Sequence, residues 1–129
     1  MSEIVNPAGW DRPKGYSNGI VAQGRILSIA GQIGWNERSE LASGLAAQTA
    51  QALRNVVAVL AAAGGSPEHL VRLTWYVVDK RAYLAAAEEI GRAYRAIVGA
   101  TYPAMSLVQV ADLLEDGALV EIEATAVLP

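Results

Sequence analysis

At 129 residues the chain is long enough for one domain with a proper core, and 53% of it is hydrophobic against 18% charged. It has no cysteine, one histidine and a net charge of −3. This excludes disulfides, thiolate catalysis, Cys-based metal sites and a histidine relay, and it opposes broad nucleic-acid binding, which needs a basic surface.

The first seventeen residues are rich in Pro, Gly and Asn and read as an irregular N-terminal arm, residues 1–17, ahead of the body of a single domain. Trp10 and Tyr16 are large groups that would pin such an arm down. Ile20 to Ala22 and Arg25 to Ala30 read as two strands of a hairpin turned at Gln23-Gly24. Gly31-Gln32-Ile33-Gly34 follows, and its glycines mark a bulge or a close approach of backbone to another group. Without a third glycine or a Lys-Ser/Thr pair, it does not make a phosphate loop.

Ser43 to Ala63 is the clearest helix. Leu45, Thr49, Leu53, Val56, Val57 and Leu60 share one face, and Gln48, Gln51 and Asn55 form a second, amide stripe expected to face solvent or another subunit. Gly64-Gly65 ends the helix. Ser66-Pro67-Glu68-His69 reads as a capped turn in which His69 is a surface or capping residue. Val71 to Val78 alternates as a strand, and Asp79 then caps a second helix running to about Val98. Gly91 inside that helix costs about 1 kcal/mol relative to alanine and predicts a close packing contact.

Tyr102 to Val110 and Leu119 to Val127 are the last two strands, expected to pair across a turn at Asp116-Gly117. In the final strand Val120, Ile122, Ala124 and Ala126 alternate with Glu121, Glu123, Thr125 and Val127, so the carboxylates share one face. The order β-β-α-β-α-β-β predicts an α+β domain with both helices on one face of a sheet. The other face would be aliphatic and covered by another subunit, in keeping with the high apolar content. No run is long and apolar enough for a membrane span and no signal-peptide pattern opens the chain, so a cytoplasmic protein is expected.

These residues resemble the RidA/YjgF family, also known as the L-PSP endoribonuclease family. The resemblance runs from about Gly15 to Val127. It rests on Gly15-Tyr16, Gly31-Gln32-Ile33, Gln48 with Leu53 and Asn55, Ala62-Ala63-Gly64, Asp79, Tyr102-Pro103-Ala104 with Ser106, and Glu121-Ile122-Glu123-Ala124. It implies a chorismate-mutase-like fold, and a homotrimer whose sheets form an inner barrel with clefts between subunits. The implied activity is hydrolysis of reactive enamines and imines, with no metal and no cofactor.

The family's carboxylate-binding arginine falls at Met105, its serine before Gly-Gln at Ala30, and its cysteine two residues past the arginine at Leu107. Tyr16 and Glu121 match. The resemblance thus implies an arginine-lacking branch. Glu121 and Tyr16 are the candidate catalytic groups, and Ala30, Gly31, Met105 and Leu107 line the ligand site. A thioether cannot replace the bidentate fork of a guanidinium on a carboxylate, so a neutral or cationic amine-derived ligand is expected. A non-catalytic small-molecule-binding or protein-interaction trimer is the alternative. Cleavage of nucleic acid is disfavoured, because no cluster of His, Lys and Arg is apparent.

Overall fold

The computed structural model describes residues 2–129. Its elements in chain order are β1 (Ser2–Val5), β2 (Gly19–Ala22), β3 (Arg25–Ile33), α1 (Leu45–Ala62), a 3-10 turn (Pro67–His69), β4 (Leu70–Val77), α2 (Lys80–Ala85), α3 (Ala87–Ile97), β5 (Ala104–Gln109) and β6 (Val120–Leu128). Four strands form one sheet in the order β3-β6-β4-β5, and β1 with β2 makes a separate two-stranded ribbon.

The alternation along β4 and β6 decides which face is covered. Leu73, Trp75 and Val77 are buried, as are Val120, Ile122, Ala124 and Ala126. They meet Leu53, Val56 and Leu60 of α1 and Ile90 and Tyr94 of α3 in one core cluster. The side chains between them, Thr74 and Tyr76 on β4 and Glu121, Glu123 and Thr125 on β6, point away from both helices. The fold is thus the expected α+β layer with its helices on one side.

Several pairings differ from the expected ones. β5 and β6 are not neighbours: β5 lies parallel to β4 through the register Leu73↔Met105 and Trp75↔Leu107, and β6 runs antiparallel between β4 and β3. The α2–α3 connection is the crossover that a parallel β4–β5 pair requires. β2 pairs with β1, not with β3, so the arm contains a strand and residues 2–17 are not wholly irregular; Met1 lies outside the described residues. Trp10 and Tyr16 do not pin this arm, being 62% and 42% exposed. It is held instead at Ser17, whose hydroxyl donates to Tyr102 O at 2.6 Å and whose N–H donates to Pro103 O at 3.1 Å. The second helix is broken at Ala86 into α2 and α3, and its start is capped as expected by Asp79, which accepts from Arg81 N and Ala82 N.

Two members of the α1 amide stripe, Gln48 and Asn55, turn to backbone groups instead of solvent, whereas Gln51 bonds only to Asn55 and Arg54 of the same helix. Gln48 is 3% exposed; its Nε2 donates to Ala42 O and Gly117 O, and its Oε1 accepts from Leu119 N. Asn55 Nδ2 donates to Ile33 O and Trp35 O. Gln48 can be buried because both its Nε2 and its Oε1 find backbone partners, while the Oδ1 of part-buried Asn55 accepts from Gln51 Nε2. Both devices fasten α1 to the loops that flank the sheet.

The uncovered sheet face also differs from expectation. It carries Ser28, Arg72, Thr74, Tyr76, Ser106, Glu121, Glu123 and Thr125, with Ile26, Ala30, Ala104, Val108 and Val127 as its apolar members. It is mainly polar.

Candidate functional site

Between α3, the start of β5 and the end of the arm lies a cleft of about 460 Å³. Its walls are aromatic: Tyr16 from the arm, Trp75 from β4, Tyr83 from α2, Tyr94 from α3 and Tyr102 ahead of β5. Met105 and Leu107 project into it from β5, and Ile90 and Gly91 from α3. Lys14 and Arg95 also border the cleft.

The aromatic groups hold one another in place. Trp75 meets Tyr83 edge to face at 6.3 Å between ring centroids and stacks on Tyr94 at 6.4 Å. Tyr94 stacks in turn on Tyr102 at 5.4 Å, and its hydroxyl donates to Thr101 O at 2.5 Å. Such pairs add roughly 0.5–1.5 kcal/mol each beyond their area burial. Burial pushes the Tyr94 phenol well above its ordinary value, with Tyr102 adding to the effect, and burial raises Tyr83 also. Both phenols therefore remain protonated at neutral pH and serve as walls or hydrogen-bond donors, not as bases. The Trp75 indole N–H is buried without a partner.

The expected site residues divide between two places. Tyr16, Met105 and Leu107 come together in the cleft. Ala30, Gly31 and Glu121 lie on the other side of the sheet. There the β3–β6 register shifts between Ile29 and Gln32, so the glycine run is the expected bulge. A Cβ built at Gly31 would overlap the Glu121 carboxylate, so only glycine leaves that carboxylate its position. Gly34 is likewise packed on the backbone of Gln48. Tyr76 donates to Glu123, and that hydrogen bond, before any other effect, holds the Tyr76 phenol above its ordinary value. The Arg92–Glu88 contact at 3.2 Å is the sole ion pair among the described residues, so Glu121 has no cationic partner among them. No group of three or more His, Asp or Glu among the described residues could hold a metal.

Arg95 and Lys14 are the cleft residues that the sequence reading missed. Arg12, Arg25 and Arg72 do not border the cleft. The Gly91 expectation is corrected too: a Cβ there would meet only Arg95 Nη1, at 3.4 Å, so no close helix packing explains this glycine.

Residues 10–128 match the model of the endoribonuclease L-PSP family. This chain belongs to that family, the RidA/YjgF family. A Rid-family protein of Yersinia pestis, YyfB, described as of unknown function, is 40% identical and superposes with a TM-score of 0.85 over 98% of both chains. Escherichia coli TdcF, solved with bound serine, is 31% identical with a TM-score of 0.73 over 98% of this chain and 99% of that one. The E. coli 2-iminobutanoate/2-iminopropanoate deaminase is 37% identical over 105 residues, 81% of this chain and 80% of that protein. The fold is accordingly the chorismate-mutase-like fold of the RidA/YjgF structures. No helix among the described residues of this RidA-family chain is long and apolar enough to cross a membrane.

Proposed function

We propose that this chain hydrolyses a reactive enamine or imine other than the small 2-imino acids. Family membership and the likeness to the E. coli deaminase support the reaction class. The observation that supports an altered substrate is that Met105 lines the cleft; by the motif resemblance it is the counterpart of the family's carboxylate-binding arginine. In the reaction, water oxygen bonds to the imine carbon and the C=N bond becomes single. Proton transfers to nitrogen then let the C–N bond break, releasing ammonia and leaving a carbonyl.

Tyr16 is placed to donate a hydrogen bond, and Glu121 is the group for accepting the water proton. Within one chain they stand on opposite faces of the sheet. Their meeting therefore needs a second copy whose open face lies against the cleft of the first. This favours a homotrimer with intersubunit clefts, in which Ala30, Gly31 and Glu121 of one copy complete the wall built by Tyr16, Met105 and Leu107 of the next. A cytoplasmic location suits a substrate made by amino-acid metabolism.

A second reading, a non-catalytic small-molecule-binding trimer, is favoured by one observation. No carboxylate and no histidine borders the cleft within a chain, so the chain's own cleft contains no general base. Imine decay separates the two. With an imine generated in situ, wild type should accelerate decay, Glu121→Ala should abolish it, and Met105→Arg should gain activity on 2-iminopropanoate. A wild type that accelerates no imine leaves the binding reading.

A further inference from the structure

Resting on the proposed site, we propose that its ligand is an aromatic acid, with its ring inside the Tyr16–Trp75–Tyr94 cleft and its anionic group on Arg95, an anion contact moved from β5 to α3 and made possible by Gly91. Three observations carry this. The first is the glycine. Gly91 sits within α3 in ordinary helical backbone, where glycine is less favourable than alanine by about 1 kcal/mol. Neither of the usual reasons for a helical glycine applies, because a Cβ would meet nothing closer than the Arg95 guanidinium at 3.4 Å. What the missing side chain leaves open is the cleft, which Gly91 itself lines. One turn later on the same helix face, Arg95 lies across that gap.

The second observation is charge. Arg95 and Lys14 are the charged residues of the lining, and Arg95 forms no ion pair among the described residues. Within one chain the lining carries two cations and no carboxylate, and with Glu121 of a neighbouring copy added the site still has an excess of positive charge, which repels an ammonium ligand and attracts a carboxylate. The proposal thus departs from the neutral or cationic ligand expected from Met105 alone. The third is size and shape. At about 460 Å³ the cleft is in the range of sites for drug-sized ligands. A three-carbon imino acid would leave most of the aromatic wall uncovered, whereas a flat ring meets Tyr16, Trp75 and Tyr94 in the offset or edge arrangements that aromatic pairs prefer. Met105 and Leu107 supply the apolar floor.

The test measures binding to the full chain by calorimetry at low salt, with four stable probes: phenylacetate, benzyl alcohol, acetate and phenethylamine. Phenylacetate should bind at least about tenfold tighter than each of the others, the gain from one charge-assisted hydrogen bond added to ring burial. Arg95→Gln should bring phenylacetate down to the level of benzyl alcohol and leave benzyl alcohol unchanged. Gly91→Leu should abolish binding of both ring compounds while melting no lower than wild type. Arg92→Gln, one turn of chemistry away on the exposed face, should change nothing. The proposal is overturned if acetate binds as well as phenylacetate, if phenethylamine is preferred, if Arg95→Gln leaves phenylacetate unaffected, or if no ring compound binds. No imine enters this experiment. Phenylacetate binding with no imine hydrolysis would therefore remove the proposed activity and keep the ligand class, and the reverse result would do the opposite.

Discussion

The two faces of the sheet use the same strands for opposite purposes. On the helix side, Trp75 is 4% exposed and locked between Tyr83 and Tyr94, so the cleft is carved from the core itself. On the open side, Glu121, Glu123, Tyr76 and Thr125 stand on β4 and β6 with no helix above them. The charged residues bordering the cleft are the cations Lys14 and Arg95, whereas the open face combines the carboxylates of Glu121 and Glu123 with Arg72. A chain so divided holds two unlike half-sites. The cleft has an aromatic wall and no carboxylate; the open face has carboxylates and no cleft. Substitutions should separate accordingly: cleft residues change stability and binding together, and open-face residues change chemistry with the fold intact.

The largest expected effect is on the cleft side. Trp75→Ala removes a ring that serves both core and wall, and should cost about 3–5 kcal/mol in denaturant unfolding, with loss of ring-compound binding. A loss below about 1 kcal/mol would mean that the cleft wall is not part of the core. Tyr94→Phe is smaller. It removes the bond to Thr101 O and should cost about 1 kcal/mol at neutral pH.

The same variant changes the alkaline limb. Folded Tyr94 stays neutral above the pH at which an unfolded tyrosine ionises, near 10. Above that pH the unfolded chain binds fewer protons than the folded one, so stability falls as pH rises. The contribution is fully present below about pH 10, and Tyr94→Phe should make the fall in melting temperature beyond it shallower. An unchanged slope would contradict a buried, neutral phenol. The smallest stability effect belongs to the open face: Glu123→Gln should leave the melting temperature unchanged and let Tyr76 ionise at lower pH in an ultraviolet titration. A marked drop in melting temperature would show that the open face contributes to the fold as the cleft does.

Local signals in the sequence were read well, and long-range ones were not. The apolar face of α1, the Asp79 cap and the alternation of β4 and β6 depend on residues a few positions apart, where period and chemistry are visible. The strand partners depend on topology. Asp116-Gly117 has the chemistry of a hairpin turn, yet β6 passes β5 by and inserts between β3 and β4. β2 was assigned the wrong neighbour because four extended residues hidden in a Pro- and Gly-rich arm compete for it. The Gln48 and Asn55 stripe misled because its partners are backbone carbonyls and N–H groups, which have no identity in a sequence. Of the residues lining the cleft, Tyr16, Met105 and Leu107 stand at motif positions, while Arg95 lies in none. The available signal was Gly91, a glycine at a helical position with nothing for it to pack against.

Gln48 has a consequence for motion as well as for architecture. Its side-chain amide joins points 69 and 71 residues apart along the chain. The segment before β6 is therefore latched to the first turn of α1, and neither can open while the other stays shut. In hydrogen exchange the Leu119 amide and the early amides of α1 should share a single opening event, a cooperative unit spanning more than half the chain. The strand that presents Glu121 begins at that latch. Glu121 should then open with the helix and not with the preceding loop, where Leu114 is fully exposed.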